Sequence, residues 1–118
     1  MRAEGKTSRS LPSALIPRPF AMVIGVLQVE LFIGDAASLK DKRRVVLSIK
    51  DRLGQDNSVA VAEVDKMDAH QVAVLGIVTV SNSGARSREV LQRALEQLRG
   101  NPRVVVSGHQ MEMLTGQG

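Results

Sequence analysis

The 118-residue chain has no cysteine, tryptophan or tyrosine, and its only aromatic residues apart from histidine are Phe20 and Phe32. Without cysteine there are no disulfides, no thiol nucleophile and no thiolate metal site, and the composition agrees with a reducing cytoplasm. Scarce aromatics argue against the mode of RNA recognition that stacks bases on Tyr or Phe in the central strands of a sheet. No apolar run approaches the ~20 residues required to span a bilayer. The one apolar patch near the N-terminus, residues 14–16, is cut off by Pro17, Arg18 and Pro19, which leaves no h-region for a secretory signal. No H-E-x-x-H, Walker loop, G-x-G-x-x-G or Ser-His-Asp pattern is present. The expectation is a cytoplasmic, non-enzymatic protein without cofactor, metal or membrane association.

The basic residues are unevenly distributed. The formal charge is +4, but residues 1–21 carry Arg2, Lys6, Arg9 and Arg18 against Glu4 alone. Most of the excess lies there, and the high isoelectric point says little about nucleic-acid binding by the remainder. That segment also holds Pro12, Pro17 and Pro19 and has no periodicity, so it reads as a disordered tail. Three readings of it stand: an inert tail, a basic arm that touches phosphate, or sequence ahead of a true start at Met22. Residues 22–115 are expected to form one domain with a single core, and residues 116–118 a frayed end.

Within that domain, hydrophobic period separates strands from helices. Residues 23–33 alternate, with Leu27, Val29, Leu31 and Ile33 on one face. Ser38, with Asp41 three residues on, marks a helix start in the S-x-x-D form of a capping box. Leu39, Val46, Ile49 and Leu53 follow at helical spacing, and Gly54 reads as the stop. Residues 58–65 form a second strand with Val59, Val61 and Glu63 on one face and Ala60, Ala62 and Val64 on the other; the small alanines predict close approach of a helix. Residues 71–81, apolar on both faces, predict a strand that is central or covered on both sides. A second helix runs from the turn at Asn82, Ser83 and Gly84 to about Arg99, with Val90, Leu91, Ala94, Leu95 and Leu98 as its stripe. Residues 103–114 form the last strand.

The order β-α-β-β-α-β, with two helices at matching places, predicts an α+β, ferredoxin-like fold. Right-handed crossovers place both helices on one face of a four-stranded antiparallel sheet. The other face is left open, and the strand phases assign to it Ile24, Val26, Gln28, Glu30, Val59, Val61 and Glu63. So much aliphatic surface predicts a second copy or another partner over it, with a homodimer expected. Gly25, Gly76 and Gly108 read as close-packing positions within strands.

Three stretches read together resemble the YlxP-like family of small bacterial proteins, a domain of unknown function: VIGVLQVELFI leading into SLKDKRR, then VAEVDKMD, then AVLGIVTVSN. SLKDKRR resembles the family's S-L-K-x-K-R-R hallmark and VAEVD its second. The resemblance spans roughly residues 22–114, and members typically begin at the equivalent of Met22. It implies a ferredoxin-like fold and a genomic setting among translation and transcription-elongation genes, near the factor that matures the small ribosomal subunit. By association it implies work on ribosomal RNA or the ribosome, and it carries no catalytic residues to transfer. His109 stands where the family pattern leads one to expect an aromatic such as Tyr.

The candidate binding surface is therefore the basic load of the first helix, Lys40, Lys42, Arg43, Arg44 and Lys50, widened by Arg86, Arg88 and Arg93 of the second. Such groups bind phosphates with release of counterions, and arginine does so bidentately. The plainer reading is a solvated face that pairs with Asp41 and Asp51. Lys42 and Arg43 lie near the helix N-terminus, where the dipole favours acids, and a cost accepted there favours use. Glu63, Asp65, Asp68 and His70 are a weaker set for a divalent metal, read here as turn-forming and surface residues. A dimer for protein or ligand contacts, with no nucleic-acid role, is the alternative function.

Overall fold

Leu27, Val29, Leu31 and Ile33 are fully buried on one side of the first strand, as their spacing predicts. The computed structural model describes residues 21–115; the expected tail, residues 1–20, and the end at 116–118 lie outside the described residues. The elements are β1 (Val23–Phe32), α1 (Leu39–Asp56), β2 (Ala60–Asp65), β3 (Val72–Ser81), α2 (Gly84–Arg99) and β4 (Val105–Thr115). They build one sheet in the order β2-β3-β1-β4, with every neighbouring pair antiparallel. This is the ferredoxin-like arrangement. No helix among the described residues is long and apolar enough to cross a membrane.

Both helices begin where a side-chain oxygen can hold a free N–H. Ser38 Oγ accepts from the Asp41 N–H at 3.1 Å, and Asp41 Oδ2 accepts in return from the Ala37 N–H at 3.0 Å. Ser83 caps α2 in the same way through the Arg86 N–H. Gly54 does not stop α1. The helix continues to Asp56 because Leu53 anchors its last apolar turn and Asn57 closes it, with the Asn57 N–H and Nδ2 both donating to the Leu53 carbonyl.

The core lies between the helices and one face of the sheet. Val45, Val46, Ile49 and Leu53 come from α1, and Leu91, Ala94, Leu95 and Leu98 from α2. They meet Leu27, Val29, Leu31, Ala73, Leu75 and Ile77, and each buried Val, Leu or Ile side chain contributes about 1.5–3 kcal/mol. Gly25 lets α2 close on β1: a β-carbon there would lie 2.9 Å from Leu91 Cδ1. Gly108 has open space instead and is not a packing position.

One strand phase is reversed from expectation. Val61 and Glu63 lie opposite Ile77 and Leu75 of β3, which are buried under the helices. Val59, Val61 and Glu63 thus face α1, and Ala60, Ala62 and Val64 face the open side. The stretch is apolar in both phases, so periodicity does not choose between them. Packing does, because Val59 and Val61 reach the core where alanine would leave a void.

Candidate nucleic-acid interface and open sheet face

Lys42 is 1% exposed and is the largest fully buried side chain among the described residues. It falls three, four, seven and eleven residues before Val45, Val46, Ile49 and Leu53, hence on the same buried stripe. Its Nζ lies 2.7 Å from Glu63 Oε2 on β2. It also donates to the carbonyls of Lys66 at 3.0 Å, Val72 at 3.1 Å and Met67 at 3.4 Å. The ammonium therefore ties α1 to the β2–β3 turn. There Lys66 holds a left-handed φ of 57°, a conformation that non-glycine residues seldom adopt. Glu63 Oε2 is buried without an aligned hydrogen bond, and its close contact with Lys42 is a charge contact rather than a directed one. Lys42 consequently leaves the set of phosphate-binding candidates, and Glu63 leaves the open face.

Lys40, Arg43 and Arg44 are exposed on the side of α1 turned away from the core, beside the exposed Leu47, and Lys50 is half-buried at its flank. The α2 arginines are also exposed but are spread out. Arg88 leans over β4, with Nη1 3.9 Å from Met111 Sδ. Arg93 sits 3.9 Å from Glu89 on its own helix, and Arg86 lies in the first turn. The helices touch through their C-terminal halves, where Gln97 bonds Asn57 and Asp56. Arg86 and Arg88, at the other end of α2, do not extend the α1 group.

The open face is a regular grid. Ile24 lies between Val80 and Leu114, Val26 between Val78 and Glu112, Gln28 between Gly76 and Gln110, and Glu30 between Val74 and Gly108. Ala60 and Ala62 continue the Val78 and Gly76 rows onto β2. Val80 is 60% exposed and Leu114 43%. Ile24, Val26, Gln28 and Glu30 stand where their phase predicts. The aliphatic residues of β3 and β4 enlarge the patch beyond them. No lysine or arginine lies on any strand: among the described residues they are confined to α1, α2 and the connections that hold Lys66 and Arg103. Among the described residues the formal charges on this face are thus carboxylates: Glu30 and Glu112 at its centre and Asp65 opposite Val74 at its β2 end.

The acid and histidine set does not converge. Glu63 is committed to Lys42, Asp65 Oδ1 accepts from the Lys66 N–H at 2.8 Å, and Asp68 and His70 are exposed. No group of three or more His, Asp or Glu side chains poised for a metal occurs among the described residues.

A family model described as "Protein of unknown function (DUF503)" matches residues 24–111. The chain is 34% identical over 82 residues to the "Uncharacterized protein YlxP" of Bacillus subtilis (strain 168), a match that covers 70% of this chain and 89% of that protein. Among solved structures, the de novo designed protein Foldit4 is similar with a TM-score of 0.44 and 14% identity, over 82% of this chain and 98% of that one.

Proposed function

We propose, for a chain that belongs to the DUF503 family of proteins of unknown function, a non-catalytic binding module that docks onto structured ribosomal RNA through the outward side of α1. The observation that carries this reading is the segregation of charge. Lysine and arginine are absent from the sheet and gathered on the helices, with Lys40, Arg43 and Arg44 together on exposed turns. Among the described residues, a polyanion meets the concentrated positive potential on that side. The setting among translation genes that the family resemblance implies points the same way.

The magnitude is modest. Three phosphate contacts give a salt slope of about −2 to −3 in log K against log salt. Contact of that size suits a large, dense phosphate surface such as a ribosomal subunit better than a short oligonucleotide. The experiment is sedimentation of native lysate through sucrose at low and high salt. Co-migration with the small subunit at low salt is expected, lost at high salt and lost with Arg43→Glu plus Arg44→Glu. Free migration at low salt refutes the proposal.

The open sheet face favours a second reading, protein association. Its aliphatic patch needs an apolar partner, and Glu30 and Glu112 need a basic one. A second copy laid face to face supplies no strand cation and would bury these carboxylates unpaired, at a cost of several kcal/mol each. An aliphatic, basic surface on another protein fits better. Val78→Asp would release such a partner while Arg43→Glu would not.

A further inference from the structure

The two edges of the sheet are finished differently. β2 is six residues long, has a register shift between Glu63 and Asp65, and runs into the pinned turn at Lys66. Shortness, irregularity and terminal charge are the ordinary protections of a free edge. β4 has none of them over most of its length. It is eleven residues long, contains no lysine, arginine or proline, and carries one charge, Glu112. Its single register shift leaves Ser107 as the added residue, and from Gly108 to Thr115 its pairing with β1 is unbroken. α2 packs on one face of β4 and does not cover its edge: His109, Gln110 and Glu112 are exposed.

We propose that this edge pairs with the same edge of a second copy, joining two sheets into one of eight strands. An antiparallel edge is self-complementary under a two-fold axis, since each strand offers the N–H and C=O row that the other requires. Opposed residues in an antiparallel pair share a face, so the axis passes through a residue. An axis at Glu112 sets that carboxylate against its own copy. One at Gln110 sets Leu114 against Val106, across the irregularity at Ser107. One at Met111 does neither. It pairs Gly108 with Leu114, so the span 108–114 lies within the regular part of β4. It also sets Gln110 opposite Glu112 of the second copy, twice, where the amide can donate to the carboxylate. His109 then faces Met113 of the second copy on the helix side. The Arg88 guanidinium groups flank the axis from solvent, where water and salt screen them.

The test uses the full chain in analytical ultracentrifugation at micromolar concentration. A dimer is expected. Gln110→Glu, which sets two carboxylates against each other twice, should weaken self-association by about tenfold or more. Adding Glu112→Gln exchanges the two side chains and should restore it. Both side chains are exposed, and circular dichroism checks that the fold is kept. Because the chain has no cysteine, Met111→Cys should form an intermolecular disulfide on oxidation, with α-carbons on the axis about 4.5–5.5 Å apart. His109→Cys should not, since its copy would lie about 13 Å away. A wild-type monomer across the micromolar range overturns the proposal. So does a dimer insensitive to Gln110→Glu that cross-links equally well through His109→Cys. Neither outcome bears on the sedimentation test of RNA docking.

Discussion

Replacing Lys42 by methionine keeps most of the apolar stem of the side chain and removes its ammonium, with both the charge and the hydrogen-bond donors. In the native fold that ammonium meets one carboxylate and three carbonyl oxygens within 3.4 Å. Its loss strands Glu63, which is 18% exposed and has no other side-chain or backbone partner among the described residues for Oε2. Breaking a buried pair from one side costs about 3–5 kcal/mol. Partial access of water to Glu63 sets the expectation at the lower end, about 3 kcal/mol. For a domain of this size that is a drop of about 12–24 °C in Tm, at about 4–8 °C per kcal/mol. Urea unfolding followed by circular dichroism reads it directly. Glu63→Leu added to Lys42→Met should recover about 1–2 kcal/mol, because the stranded carboxylate is gone while the turn carbonyls still lack their donor. Stability of Lys42→Met within about 0.5 kcal/mol of wild type would refute the internal tie and return Lys42 to the basic surface.

Three further substitutions probe the packing. Gly25→Ala forces a β-carbon to within 2.9 Å of Leu91 Cδ1 and 3.2 Å of Thr79 Cγ2; the expected cost is about 1–3 kcal/mol, seen as a lower urea midpoint at unchanged m-value. Val61→Asp and Ala62→Asp test the phase of β2 side by side. The first places a carboxylate beneath α1 and should cost more than about 2 kcal/mol, whereas the second points to the open face and should cost less than about 1 kcal/mol. Equal effects in thermal melts would contradict the strand phase described above.

Where the sequence is periodic in one way only, it predicts the structure well. β1 buries Leu27, Val29, Leu31 and Ile33 as expected, and α2 buries Leu91, Ala94, Leu95 and Leu98 of its expected stripe, with Val90 half-buried outside the core. Caps are legible for the same reason, since Ser38 with Asp41 has one geometry that satisfies two N–H groups. β2 is legible as a strand but not in phase, because valine and alanine alternate and either face can be buried. Lys42 was recoverable from its place on the stripe of Val45, Val46, Ile49 and Leu53, but residue type outweighs position when a basic run is scanned for binding. Its burial depends on a carboxylate and a turn that lie more than twenty residues ahead in the chain. The residues opposite one another on the open face depend on strand order and register, and these long-range pairings have no local signal.

The absence of lysine and arginine from the strands also has a consequence for motion in solution. Among the described residues, cations gathered on the helix layer and carboxylates on the sheet face give the domain a dipole with a component normal to its sheet. Near any polyanion it experiences a torque before it experiences contact, and the torque turns the helices inward. The aliphatic grid around Val26 and Val78 is then presented outward, away from the phosphates. Arrival and orientation become a single event, and whatever the sheet face holds is displayed rather than trapped.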